Sequence, residues 1–268
     1  MSHLATLARR LRFAVIALSR ATGTSHIGSC LSCADILVAA YNGGLRLGPE
    51  LVQDPARDRL VFSKGHCAAA LYCALAQRGF FSMEKLSASF NRNGGVQEHP
   101  NLQAVAGVEI ASGSLGHGLS LGLGMALASR VTRRPYRVCV IMGDGEADEG
   151  SVWEAAMLAG AHKLSNLCVV VDANGWQATG RSAEIMALEP LPDKWRAFGW
   201  DVVETDGHDP DRLKELLENA GKGDAPLAIV ARTVKGKGVS FMEDDNNWHY
   251  RIPSEAEECR AREELGLS

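Results

Sequence analysis

The chain has 268 residues, 46% of them apolar and 22% charged, with 28 Lys and Arg against 32 Asp and Glu for a net charge of −4. This length and apolar share support a folded core without disulfide or metal staples and exclude an intrinsically disordered chain. The balanced charge excludes a protein that grips nucleic acid by its phosphates, and the apolar run Phe13 to Leu18 falls far short of the ~20 residues of a membrane-spanning helix.

Leu4, Leu7, Leu11, Val15 and Leu18 recur at helical spacing. The Arg-bearing start therefore reads as the first amphipathic helix of the domain rather than as a transit peptide. The first ~130 residues read as mostly helical, with a short strand at Val61 to Ser63. Beyond them, apolar runs alternate with helical stretches. Strands are expected at Val138 to Met142, Leu167 to Asp172, Asp201 to Thr205 and Leu227 to Arg232, with helices near 148–164, 184–198 and 209–221. All but the third run are nearly continuously apolar, as strands covered on both faces are. Asp206-Gly207-His208-Asp209-Pro210 reads as a turn that ends in a helix N-terminus. The alternation predicts an α/β fold with a mostly parallel central sheet and helices on both faces. No linker is visible, so a single domain over 1–268 is expected.

Seven cysteines stand at 30, 33, 67, 73, 139, 168 and 259. Several fall inside apolar segments, which suits reduced core thiols in a cytoplasmic protein. The one CxxC, Cys30 to Cys33, has no second pair to complete a zinc site.

Ligands of an open parallel sheet bind beyond the carboxyl ends of its strands. The run ending at Met142 continues into Gly143-Asp144-Gly145-Glu146, and the run ending at Asp172 continues into Ala173-Asn174-Gly175-Trp176. Glycines flank Asp144, so the backbone can turn sharply and an anion can approach. An Asp, an Asn and backbone carbonyls suit a hard cation such as Mg²⁺, which commonly bridges to phosphate oxygens. A turn with a capping Asn explains the same residues without any ligand. Other nucleotide and hydrolase signatures are missing. Gly116-His117-Gly118 is followed by Leu121 where a dinucleotide fingerprint needs Gly or Ala, and no P-loop, H-E-x-x-H or G-x-S-x-G occurs.

The segment GDGEADEGSVWEAAMLAGAHKLSNLCVVVDANGW resembles the thiamine diphosphate motif, which runs from GDG to an Asn about 30 residues on. SHIGSCLSCADIL, SKGH, QEHPNLQAVAG, GSLGHG and VKGKGVSFMEDDNNWH, in that order along the chain, are similar to transketolase in particular. The resemblance implies the thiamine diphosphate-binding fold. It assigns a divalent ion (Mg²⁺, or Ca²⁺ or Mn²⁺) to Asp144, Asn174 and the Trp176 carbonyl. It places the cofactor against His66, Gly113, Leu115, Gly143, Asp144, Gly145, Glu149, Asn174 and Lys237, with Glu149 at the subunit interface. It gives His26, His66, His99 and His249 catalytic roles toward the cofactor and the sugar, and makes Lys64 an anion contact. His3, His162 and His208 match no motif and are expected as surface or capping residues. His117 stands where the family often has Gln, and Ile27 follows His26 where the family commonly has Pro.

The family moves a two-carbon ketol unit from a ketose to an aldose, and needs a glutamate from a second, pyrimidine-binding domain. That domain has no room after the DDNNWH segment. The resemblance therefore implies the N-terminal subunit of a split transketolase, with a C-terminal partner subunit carrying the pyrimidine domain in a heterotetramer. The substrates would be sugars, phosphorylated or otherwise anionic, with no nucleic acid or membrane partner. The alternatives are the α subunit of a 2-oxo acid dehydrogenase and a non-catalytic protein of the same fold.

Overall fold

The computed structural model describes residues 2–102 and 105–267. Gln103 and Ala104, part of the QEHPNLQAVAG segment, lie outside the described residues. Five strands, β1 (Arg59–Phe62), β2 (Val138–Gly143), β3 (Leu167–Ala173), β4 (Asp201–Asp206) and β5 (Leu227–Arg232), form one sheet in the order β1-β2-β3-β5-β4. Every neighbouring pair is parallel. The expected α/β architecture with a parallel sheet is present.

The helices are α1 (His3–Thr22), α2 (Ile27–Ser32), α3 (Ala34–Ala39), α4 (Ala68–Arg78), α5 (Met83–Ser89), α6 (His117–Val131), α7 (Gly150–Ala161), α8 (Ser182–Ile185), α9 (Leu191–Ala197), α10 (Pro210–Asn219) and α11 (Glu255–Glu264). Side-chain alternation along each strand divides the core in two. Leu60, Phe62, Cys139, Ile141, Cys168, Val170, Ile229 and Ala231 join the cluster with α1, α3, α4 and α10. Val61, Val138, Val140, Met142, Val169, Val171, Ala228 and Val230 join the other, with α6, α7 and α9. Apolar residues at both parities are what made these runs continuous. β4 is the exception because it is an edge strand, and its side chains are exposed or half-buried.

The first helix is as expected: its stripe is buried at Leu4, Leu11, Val15 and Leu18 and half-buried at Leu7, Ser2 caps its start and Gly23 ends it in the left-handed conformation. The stretch 184–198, read as one helix, is two short helices, α8 and α9, with Pro190 between them. Proline lacks the N–H that a helix interior requires and clashes with the preceding turn. Asp209 caps α10, accepting from Arg212 N at 3.0 Å, with Pro210 at the first helical position. Cys30 and Cys33 are buried free thiols, and only Cys259 is exposed. Among the described residues, no helix is long and apolar enough to cross a membrane.

Candidate active site

The carboxyl ends of β1, β2, β3 and β5 converge. After β1 come Ser63, Lys64 and His66; after β2, Asp144 to Glu146; after β3, Asn174 and Trp176; after β5, Thr233 and Lys235. Gly143 of β2 lies in register with Asp172 of β3, so the two strand-end motifs are side by side. A cavity of about 480 Å³ opens over these ends. Its walls include His26, Lys64, His66, Gly113, Leu115, Asp144, Asn174 and His249.

Asp144 is buried. Its Oδ2 accepts from Gly175 N and Ser182 Oγ, both at 2.9 Å. Burial pushes its carboxyl up to about 6, with the nearby Asp172 adding to the shift and the Ser182 hydrogen bond opposing it. No Lys or Arg pairs with it among the described residues. A buried carboxylate without a cationic partner is a costly arrangement that a bound cation relieves. Asn174 Oδ1 accepts from Trp176 N at 3.0 Å, which holds the segment 174–176 in a tight turn. Asp144, Asn174 and the Trp176 carbonyl thus present the oxygen donors a hard divalent ion takes, and the residues fit that group.

Glycines give the site its closeness. A β-carbon on Gly65 would lie 2.7 Å from the Gly113 backbone nitrogen, so the loop after β1 and the loop before α6 touch only because residue 65 lacks a side chain. Gly113 has φ +154° and packs on the imidazole of His99, where a β-carbon would stand 3.1 Å from Cδ2.

Three histidines from separate parts of the chain cluster at the cavity. The rings of His26 and His249 are 4.8 Å apart, His26 and His66 5.5 Å, and His66 and His249 6.2 Å. His26 holds φ +67°, uncommon for a residue with a β-carbon, and its N–H donates to the His249 carbonyl at 2.7 Å. That strained turn aims its ring at the other two. Burial drives all three imidazoles toward the neutral form. It lowers His26 to about 4, with help from His99 and Lys235, and His249 to about 3, with help from Lys235. His66 is pushed well below its ordinary value by burial and by the ammonium of Lys64.

The remaining expected residues fall less centrally. His99 is exposed and reaches the cavity wall through Gly113. Glu149 is exposed at the N-cap of α7 and lies against Gly116. Lys237 pairs with Glu243 at 3.3 Å and does not line the cavity; its neighbour Lys235 is the lysine that turns inward. Lys64 lines the cavity, but its ammonium is bound to Asp172 and to the Ser29 carbonyl.

Four residues were missed. Asp172 is buried and bonded to Lys64, Ser32 and Thr233. Burial alone would raise its carboxyl, but the Lys64 ammonium together with the hydrogen bonds from Lys64, Ser32 and Thr233 outweighs burial and holds it low. Glu146 is buried beneath the loop before α6 and accepts from Gly116 N at 2.9 Å and from Ser63 Oγ. Lys235 is buried beside His249. His208, expected at the surface or as a cap, is half-buried: Nε2 accepts from Val234 N at 2.8 Å, and Nδ1 faces Asp35 Oδ2 at 2.9 Å. A second charged residue beside each chosen one, Asp172 two before Asn174 and Lys235 two before Lys237, was the signal available.

The fold and cavity define an α/β protein with a pocket at its strand ends, lined by the oxygen-bearing Asp144 and Asn174 and by imidazoles that burial keeps neutral. The family described as "Transketolase, thiamine diphosphate binding domain" matches residues 4–268, and the chain belongs to that family. It is 41% identical over 233 residues to one subunit of the apulose-4-phosphate transketolase of Phocaeicola vulgatus, covering 85% of this chain and 82% of that one. It is 42% identical over 245 residues to the 6-deoxy-6-sulfo-D-fructose transketolase subunit SqwG of a Clostridium species, covering 91% and 88%. The crystal structure of Campylobacter jejuni transketolase superposes on the whole chain with a TM-score of 0.92 at 30% identity, and this chain spans 43% of that one.

Proposed function

We propose that this chain is the cofactor-binding subunit of a two-chain transketolase, acting as one domain over 1–268. It transfers a two-carbon ketol unit from an anionic ketose to an aldose, with thiamine diphosphate and Mg²⁺, in the cytoplasm. The observation that carries this reading is one cavity joining the oxygen set of Asp144, Asn174 and Trp176 to the neutral histidines 26, 66 and 249. Two relatives are named as transketolase subunits and are matched over most of their length, which supports a separate partner carrying the pyrimidine domain in an α2β2 assembly. The sugars in their names carry a phosphate or a sulfonate, which supports an anionic sugar here. The family match argues against the 2-oxo acid dehydrogenase reading, and the intact cavity argues against a non-catalytic protein.

Thiamine diphosphate, when bound, supplies the carbon nucleophile and the electron sink for breaking a carbon–carbon bond. The chain's own residues do the rest. Asp144, Asn174 and the Trp176 carbonyl would hold the divalent ion, and Gly145, packed against the Gln177 side chain, would lie beside it. Gly113 and Leu115 would wall the ring end. Neutral imidazoles each offer one N–H and one lone pair, so His26 and His66 can orient sugar hydroxyls and pass protons, and His249 can orient a hydroxyl, without placing a positive charge in the site. His99, beside Gly113, would meet the sugar at the rim.

Calorimetric titration of thiamine diphosphate with Mg²⁺ tests the site. Asp144→Ala should abolish metal-dependent binding; unchanged affinity would reject the assignment.

A further inference from the structure

Lys235 is buried behind the cavity wall and reaches His249, which lines the cavity, by a fixed route. Its stem packs against Gly28, where a β-carbon would stand 3.0 Å from Lys235 Cγ. Its carbonyl accepts from Asp244 N at 2.8 Å, and the next residue, Gly236, donates to the Gly28 carbonyl at 2.9 Å. The preceding residue, Val234, donates to His208 Nε2. Held on both sides, the side chain ends with Nζ 2.6 Å from Asn246 Oδ1 and 3.1 Å from His249 Nδ1.

An ammonium only donates. His249 Nδ1 must therefore accept, and the single N–H of a neutral imidazole is left on Nε2. Burial lowers the Lys235 ammonium only to about 8, so it remains charged at pH 7, while His249 is neutral there. The other groups around His249 are His26, His66, Lys64 and Tyr250. Among the described residues, no protein acceptor takes the Nε2 proton, and the ring lines the cavity. We propose that Lys235 is a positioning residue that locks His249 in its Nε2–H tautomer, so that His249 meets the bound sugar as a neutral hydrogen-bond donor rather than as a base. The identity of the sugar rests on the ketol-transfer reading; the tautomer does not.

His208 supplies an internal contrast. Its Nε2 accepts from a backbone N–H, so its proton lies on Nδ1 and is donated to Asp35. Two histidines of one chain are thus held in opposite tautomers.

The test is a long-range ¹H–¹⁵N spectrum of the full chain with labelled histidine at pH 7, with His249 assigned by its loss in His249→Gln. The wild type should show His249 protonated on Nε2 and His208 on Nδ1. Lys235→Met should move the His249 Nδ1 resonance toward that of an unbonded lone pair and admit the Nδ1–H form, while His208 stays unchanged and reports an intact fold. Lys235→Arg, which also only donates, should restore the wild-type pattern. His249 protonated on Nδ1 in the wild type, or a His249 spectrum indifferent to Lys235→Met, would overturn the proposal. The expected spectra without ketol transfer by the assembled enzyme would uphold the lock and reject only the proposed reaction.

Discussion

Lys64 and Asp172 stand 108 positions apart in the chain and meet behind the cavity, both with side chains almost wholly out of water. Such a pair contributes little over an apolar substitute, but breaking it strands a buried charge. Lys64→Met should therefore cost about 3–5 kcal/mol in denaturant unfolding. Adding Asp172→Asn should recover part of that loss. A Lys64→Met protein as stable as the wild type would show that Asp172 is not charged.

The clustered histidines give the apo chain a pH dependence. Their folded values lie below the unfolded 6.5, so between pH 6.5 and about 4 the unfolded chain binds more protons. The stability they provide is present above pH 6.5 and is lost as pH falls toward 4. His26 and His249 should each account for on the order of 1 kcal/mol after allowing for their partial contact with water. Thermal melts across this range should fall steeply in the wild type and less steeply in His26→Gln; parallel profiles would contradict the assignment. Asp144 and Asn174 were legible because each follows an apolar run and stands beside glycine. Asp172 and Lys235 were not, because a charged residue at the end of an apolar strand makes sense only once its distant partner is placed.

Among the elements, α6 seats closely on the sheet. A β-carbon on Gly122 would lie 2.5 Å from Val140 Cγ2, a fully buried side chain of β2. Gly122→Ala sets two effects against each other. Alanine favours a helix by ~1 kcal/mol, but overpacking against a fixed core costs ~1–3 kcal/mol. The clash is with a side chain that has no free space, so net destabilisation is expected, read as a lower denaturant midpoint. A higher midpoint would show that α6 can lift freely. The strands could be read from their sequence because burial on both faces leaves few polar residues in them. The division of 184–198 into α8 and α9 was missed because its apolar spacing continues across Pro190, and the break lies in a missing backbone donor rather than in hydrophobicity.

At the scale of the whole molecule, α6 and α7 leave apolar side chains in water: Leu121 is 44% exposed, Val131 81%, Met157 55% and Leu158 42%. A surface of this kind is where the proposed partner subunit would dock. Met157→Asp should weaken the complex roughly tenfold, about 1.4 kcal/mol, in a sedimentation or calorimetric assay, without changing the fold. Unchanged affinity would move the interface elsewhere. The central claim is that this chain holds the cofactor's diphosphate while a second chain completes the active site. Its most direct test is ketol transfer from an anionic ketose to an aldose, measured with thiamine diphosphate and Mg²⁺, for this chain alone and together with a purified pyrimidine-domain subunit. Turnover that appears only in the mixture is predicted. Full turnover by this chain alone, or none with its partner present, would contradict the account.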